Sequence, residues 1–405
     1  MKVIVLRNHN PYSISSASSN RIITLIEGLA SLGVEIELMV TRGYQTKHEE
    51  IEFGSFGIIN GVKYKYISTL VASNFLIKRI DKYIFQPLFS SIKAMKIRKL
   101  LLKEPENTII WPFVSIEHLK AIKKKLPGKI YFAENNEYPD FHKFSKNTFY
   151  QKWSVDFAED FFQKHIFPNL IGMALMTKAL IKYYQEFPPP GPKLLHLPMT
   201  VDLDRFNFHD EHPPFEGIHK PYIAFVGVMN NQKEGIDILI ESFAKIAAEF
   251  TRINLYLFGS WHPDLTQNID LINHYKLKDR VFYKGSIASH QVPSVLMNAE
   301  LLVLPRPESY QAAGGFPTKL GEYLASGKPV CATRVGEIPD YLEDEKNVFF
   351  AEPNSINSFS SAMMRALTNK VKANEVGLRG MEVAEKEFNK SVQAQRLFEF
   401  LHTLG

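Results

Sequence analysis

The chain opens with an apolar, β-branched run, KVIVLRN (residues 2–8), followed by a polar loop, HNPYSISSASSN. RIITLIEGLASL (21–32) then carries apolar residues at helical spacing, Gly33 stops it, and VEIELMVT (34–41) alternates as a second strand. Strand, helix and strand on short links make a βαβ unit, which implies a parallel sheet covered on both faces. The alternation recurs. NTIIWPFV (107–114) and KIYFAENN (129–136) read as strands on either side of a helix, SIEHLKAIKKKL, and NLIGMALMT (169–177) and KLLHLPM (193–199) read as two more. The polar, proline-bearing stretch 200–221, TVDLDRFNFHDEHPPFEGIHKP, breaks the pattern as a linker would. A second βα series follows: YIAFVGVM (222–229), the helix GIDILIESFAKIAAEF, INLYLFGS (253–260), RVFYKGSI (280–287), the helix QVPSVLMNA, ELLVLPRP (300–307) and KPVCATR (328–334). SVQAQRLFEFLHTL (391–404) reads as a terminal helix.

The expected fold is α/β, with two Rossmann-like doubly wound domains facing a central cleft. Residues 1–199 form the first domain, 200–221 the linker and 222–390 the second domain, and the helix 391–405 packs back on the first. Ligands of such sheets bind at the carboxyl ends of the strands. At 405 residues with 45% hydrophobic and 22% charged composition, the chain has material for two cores. No apolar run reaches the ~18 residues of a spanning helix. MKVIVLRNHN lacks the small-residue cleavage site of a secretory signal, and the lone Cys331 has no partner for an internal disulfide. A cytoplasmic location is the expectation.

Charge is divided unevenly. Residues 1–200 hold 27 Lys/Arg against 17 Asp/Glu, and the remainder holds 21 against 26, so the first half favours an anionic partner. The segment 75–103 carries eight Lys/Arg and one Asp, interleaved with Phe75, Ile77, Ile80, Phe85 and Phe89. That composition suits a helix on an anionic membrane surface at the inner face, and equally an amphipathic helix packed on its own domain. No nucleic-acid-binding motif accompanies it.

The stretch 314–330, GGFPTKLGEYLASGKPV, starts a helix oddly, with two glycines before it and a lysine in its first turn, where the dipole disfavours positive charge. Pro317 suits the first helical position. The N–H groups of Thr318 and Lys319 would then point from the end beside an ammonium, which makes an anion site. Glu322 follows one turn deeper, placed to accept hydrogen bonds from sugar hydroxyls. The plainer alternative is an exposed Lys319–Glu322 pair spaced i,i+3.

GGFPTKLGEYLASGKPVCATRVGEIPDYL resembles the donor-site region of the family-four GT-B glycosyltransferases, retaining enzymes that use nucleotide-sugar donors. FVGVMNNQKEGIDILIESF is similar to that family's first C-domain strand, loop and helix. VFYKGSIASHQVPSVLMNAELLVLP is similar to its base-binding segment, and LPMTVDLDRF to the signature ending its N-domain. The likeness covers nearly the whole chain and is strongest over residues 197–352.

The resemblance implies that Lys233, in the loop after Gly227, contacts the donor phosphates. The family usually places an arginine just after that glycine. Val228 stands there in this chain, and Arg306 at the end of a predicted strand is the expected replacement, unless it serves as a surface ion-pair residue. Of the two glutamates separated by seven residues that mark the family, Glu322 matches the second, which binds ribose. Gly314 stands at the first, so either the N–H groups of Gly314 and Gly315 or the carboxylate of Glu308 would hold the transferred sugar. Phe316, Pro317, Thr318 and Lys319 complete the expected donor site, with backbone groups of Ser286 and Ile287 reading the base. On the acceptor side the candidates are Ser16 and Ser18 in the first loop, and Glu134, Asn135, Glu137 and His142 after a strand of the first domain.

The resemblance therefore implies a retaining glycosyltransferase that moves a sugar from a nucleotide-diphosphate sugar to a saccharide or lipid-linked acceptor, in surface polysaccharide or glycolipid assembly. No cofactor beyond the donor substrate is expected. A metal is not expected either: Asp202 and Asp204 imitate a metal motif of another transferase fold but sit in the linker signature. A nucleotide-sugar epimerase or hydrolase on the same fold, or a non-catalytic nucleotide-binding scaffold, are the alternatives, and Gly314 and Val228 motivate the last.

Overall fold

A computed structural model describes residues 1–14, 16–68, 86–113, 115–138, 160–207 and 212–405. Its contacts divide the chain into two units, residues 1–198 with 393–405, and residues 199–392.

The strands of the first unit are β1 (Lys2–Arg7), β2 (Glu35–Val40), β3 (Phe56–Ile59), β4 (Val62–Tyr66), β5 (Thr108–Pro112), β6 (Lys129–Asn135), β7 (Gly172–Leu175) and β8 (Lys193–His196). They form one sheet in the order β3-β4-β2-β1-β5-β6-β7-β8. All neighbours pair in parallel except β3 and β4, which form a hairpin. Its two-residue turn, Asn60-Gly61, has both residues at positive φ (48° and 81°), the geometry that matches the twist of flanking strands. Val3, Val5, Ile36, Leu38, Ile109, Trp111 and Phe132 join helix residues Ile22, Leu25, Ile26 and Leu29 in one buried core. Leu397 and Leu401 of the last helix, Lys390–His402, and Leu404 just after it belong to the same core.

The second unit holds β9 (Tyr222–Val226), β10 (Asn254–Phe258), β11 (Val281–Gly285), β12 (Leu301–Leu304), β13 (Val330–Thr333) and β14 (Phe349–Ala351). All are parallel, in the order β11-β10-β9-β12-β13-β14. The strand order reverses direction between β9 and β12, and between β1 and β5 in the first unit. Crevices open at such switch points in doubly wound sheets. The stretch expected as a linker, 200–221, groups with the second unit as far as it is described. Val201 bridges Asn389, and Lys284 Nζ donates to the Gly217 carbonyl at 2.9 Å.

Candidate functional site

In the second unit the chain leaves β9 through Gly227, whose N–H donates to Phe258 O at 2.8 Å. Gly259, at φ 146°, must be glycine, because a Cβ there would strike the Gly227 carbonyl. Asn230 Oδ1 accepts from the Lys233 N–H at 2.7 Å and caps a single helical turn, Asn231–Glu234. Gly235 ends that turn at φ 69°, and a Cβ on it would strike the carbonyl of Pro305, one residue past β12. The loop after β9 is therefore pressed against the end of β12, which carries Arg306.

Lys319 arrives at the same point from the helix Thr318–Ala325. Tyr323 hooks this helix to the sheet, its hydroxyl oxygen accepting from the Val226 N–H at 2.8 Å. Lys319 Nζ lies 2.5 Å from Glu234 Oε2 and 4.6 Å from the Phe225 ring centroid. A Cβ on Gly227 would meet that ammonium and the edge of the Phe225 ring, so a larger residue there would displace the lysine. Burial pushes the Lys319 pKa below the ordinary lysine range. Glu234 opposes the shift, and the charges of Arg306 and Lys233 add to it. Lys319 thus pairs with one buried carboxylate at the switch point while feeling the charges of two further basic groups. Arg306 is itself only 4% exposed, with Nη2 donating to Gln311 O at 3.3 Å.

The helix start differs from the sequence expectation in two ways. Pro317 is the extended residue before the helix (φ −73°, ψ 102°), with its carbonyl accepting from Leu320 N–H, and Lys319 is ion-paired with Glu234, not with Glu322 as the plainer alternative had it. The N–H groups of Thr318 and Lys319 make no hydrogen bond among the described residues. Gly314 closes a short helix, Tyr310–Gly314, and the Gly315 N–H is spent on Gln311 O at 3.0 Å, so it is not available to a sugar. Glu308 is exposed. Phe316 is buried between Tyr341 and Phe388, with ring centroids 5.7 and 5.5 Å away, which makes it an anchor of the loop.

Glu322 Oε1 lies 2.5 Å from Arg205 Nη1, and Arg205 Nη2 donates to Ser289 O at 2.7 Å. Ser286 and Ile287 follow Gly285 (φ 74°) at the end of β11, three and two residues before Ser289. Asp202 and Asp204 both pair with Lys390 at 2.7 Å. Among the described residues no group of three or more His, Cys, Asp or Glu could hold a metal ion.

In the first unit Ser16 caps the helix Ala17–Ser31 by accepting from the Ser19 N–H at 3.1 Å. Ser18 Oγ accepts from Arg7 Nη2 at 3.1 Å, and the Arg7 guanidinium sits 4.6 Å from the Phe113 ring centroid, at the β1/β5 switch point. Glu134 is taken up by Arg21 at 2.5 Å, with side chains only 6% and 2% exposed, and Arg21 also donates to the carbonyls of Leu197 and Pro198. Asn135 Nδ2 donates to the Tyr184 hydroxyl at 2.6 Å, and Glu137 is half-buried beside it. Glu134 and Asn135 are thus committed to the protein, which leaves less for an acceptor than the sequence suggested. His142 lies outside the described residues. So does 75–85, while in the helix Gln86–Leu102 the side chains of Ile92, Met95 and Leu102 are exposed. Among the described residues no helix is long and apolar enough to cross a membrane.

Three side chains central to these sites were missed from sequence: Glu234, Arg205 and Arg7. Glu234 and Arg205 stand beside residues that were singled out, Lys233 and Asp204, and Arg7 ends the first strand. A rule that reads every charged residue at the carboxyl end of a strand would have found Arg7 and not Arg205.

Residues 220–369 match the family described as Glycosyl transferases group 1. The putative colanic acid biosynthesis glycosyltransferase WcaL of Escherichia coli is 25% identical over 226 residues, which are 54% of this chain and 53% of WcaL. The chain thus spans about half the length of such curated relatives. Sucrose-phosphate synthase from Thermosynechococcus elongatus superposes over 100% of this chain and 98% of its own, at TM-score 0.74 and 16% identity. HepE of Anabaena, solved in complex with UDP and glucose, covers 100% of both chains at TM-score 0.70 and 13% identity. These likenesses show the fold, which is that of the GT-B glycosyltransferases.

Proposed function

We propose that this chain is a retaining, nucleotide-sugar-dependent glycosyltransferase that builds a surface polysaccharide or glycolipid. The observation that carries the reading is Lys319, buried at the β9/β12 switch point, paired with Glu234 and acted on by the charges of Arg306 and Lys233, next to the Thr318 and Lys319 amides, which make no hydrogen bond among the described residues. A desolvated ammonium with two further cations beside it is poised for a polyanion, and a nucleoside diphosphate supplies one. The WcaL relative and the UDP-bound HepE neighbour support the class of reaction and of donor.

The chemistry follows from charge. The bond between the anomeric carbon and the β-phosphate oxygen breaks, and negative charge grows on the departing diphosphate. Lys233, Lys319 and Arg306 stabilise that charge where it develops. The acceptor hydroxyl attacks from the same face, its oxygen bonds to the anomeric carbon, and its proton passes to the leaving phosphate oxygen. Configuration is then retained without a protein nucleophile. Positioning supplies the remainder. Glu322 would take ribose hydroxyls, and the chain after β11 the base.

The acceptor is a saccharide or a lipid-linked one, met from the first unit, where Arg7, Ser18 and Phe113 line the β1/β5 switch point. Exposed Ile92, Met95 and Leu102 alternate with Lys96, Lys99 and Lys103 on one face of the helix Gln86–Leu102 and the residue after it, and support a peripheral contact with an anionic membrane from the cytoplasmic side.

Calorimetry with UDP and GDP tests the donor site. Binding of one of them, weakened roughly tenfold in Arg306→Ala, is expected from loss of a charge-assisted contact. Absence of binding by either would remove the reading. Product analysis after incubation with UDP- and GDP-sugars and a lipid extract then separates transfer from release of free sugar.

A further inference from the structure

We infer that Arg205 is a positioning residue that sets which oxygen of Glu322 meets the ribose and how far that oxygen lies from the base-reading chain. The inference rests on the donor reading above.

The guanidinium is a planar fork, and here its two arms reach different elements. Nη1 holds Glu322 Oε1 at 2.5 Å, on the helix Thr318–Ala325. Nη2 holds the Ser289 carbonyl at 2.7 Å and its hydroxyl at 3.3 Å, just beyond Ser286 and Ile287. The base of the fork is fixed as well. Arg205 sits on one turn of 3-10 helix, Leu203–Phe206, capped by Asp202, whose Oδ1 accepts from the Asp204 N–H at 3.2 Å. Lys390 ties down both aspartates. Glu322 Oε2 makes no hydrogen bond or ion pair among the described residues.

With one carboxylate oxygen spoken for, the other is left to accept from a hydroxyl. Rotating the carboxylate would break the arginine contact, so Oε2 is presented in a fixed direction. Because the same guanidinium grips Ser289, the spacing between the ribose and base subsites is fixed too. Arg205 touches neither; its effect is on their geometry. Without it Glu322 would still be present, but free to turn into solvent.

The test is calorimetry with UDP, GDP and the dideoxy counterparts that lack both ribose hydroxyls. The wild type should bind the hydroxylated form of its base roughly tenfold more tightly, the value of about one hydrogen bond to a charged group. Arg205→Gln should abolish that preference while changing dideoxy affinity less than about twofold, and Arg205→Lys, which keeps charge without the fork, should fall between. A merely structural arginine would weaken all forms alike. Equal loss for both forms, or an unchanged preference in Arg205→Gln, overturns the inference and leaves the donor site standing. If Arg205→Gln does not fold, the same comparison is read from Arg205→Lys, where a full wild-type preference overturns the inference. A wild type that binds no nucleotide overturns the donor reading and this inference together.

Discussion

The two switch points handle charge in opposite ways. In the first unit two arginines near the strand ends are matched one to one with carboxylates, Arg21 with Glu134 and Arg42 with Glu117 at 3.1 Å, while Arg7 gives its Nη2 to the Ser18 hydroxyl. In the second, Lys319 pairs with Glu234 while burial and the charges of Arg306 and Lys233 work against its protonated form. A matched buried pair holds a chain in register, whereas a buried lysine disfavoured by burial and by neighbouring cations gains from a bound anion. On the proposed reading the first arrangement is architecture and the second is the donor site.

The largest effect that would break this contrast is on stability. Arg21→Ala leaves Glu134 buried and unpaired and frees two carbonyls, so denaturant unfolding should show a loss of about 3–5 kcal/mol. UDP or GDP affinity should not change in the same variant. A stability loss below about 1 kcal/mol, or a change in nucleotide affinity, would mean that the two units do not divide the labour in this way.

Lys319→Ala should have the reverse signature, with nucleoside diphosphate binding roughly a hundredfold weaker, about 2.7 kcal/mol, as expected for a desolvated charge contact. It also strands Glu234, so stability falls too. Adding Glu234→Gln separates the effects: stability should return and binding should not. If the double variant binds like the wild type, the ammonium plays no part in holding phosphate. The depressed Lys319 pKa gives a sign to check. The ligand favours the protonated amine, so binding takes up protons between the depressed and the ordinary lysine pKa, and affinity declines as pH rises through the depressed value. Calorimetry over a pH series in buffers of different ionisation enthalpy reads that uptake.

A smaller effect belongs to the first unit alone. His118 is fully buried, its Nδ1 2.9 Å from the Phe113 carbonyl, which can only accept. Nδ1 therefore carries the proton, and Nε2 accepts from the Thr41 hydroxyl at 2.8 Å. Burial lowers its pKa from 6.5 to about 4, so the unfolded chain binds a proton that the folded chain refuses between those values. Stability from this group is present above about pH 6.5 and is lost as pH falls toward 4, by up to about 3 kcal/mol. His118→Gln should flatten that part of the acid-unfolding curve, and an unchanged slope would contradict the neutral tautomer.

The backbone architecture was legible because its causes are local. Apolar runs such as KVIVLRN and YIAFVGVM, with Gly33 and Gly235 at element ends, report on burial and turn geometry directly. The β3–β4 hairpin interrupts the βαβ rhythm, and Asn60-Gly61 is its one strong turn signal in the sequence. Site geometry was less legible. Position in a motif picked out Lys319, but nothing local says that Glu234, 85 residues earlier, meets it, or that Arg205, 117 residues before Glu322, does the same there. Glu134 shows the converse: a carboxylate at a strand end looks available until Arg21, 113 residues away, is seen to occupy it.

The smallest effect concerns the surface of the first unit, where matched charge gives way to an excess. On the helix Gln86–Leu102, Ala94, Ile97 and Leu101 are buried, while Ile92, Met95 and Leu102 are 56%, 63% and 51% exposed. Exposed apolar side chains contribute little to folding, so Ile92→Ser, Met95→Ser and Leu102→Ser together should each move stability by no more than about 0.5 kcal/mol. If the face meets a membrane, the same triple variant should partition into anionic vesicles about tenfold less, since each side chain loses part of its transfer free energy from water. Neutral vesicles should bind the wild type weakly, because Lys96, Lys99 and Lys103 then find no counter-charge. Equal partition of the wild type into both kinds of vesicle would separate this face from membrane binding, and a large stability loss in the triple variant would show that its apolar side chains are covered by the protein itself.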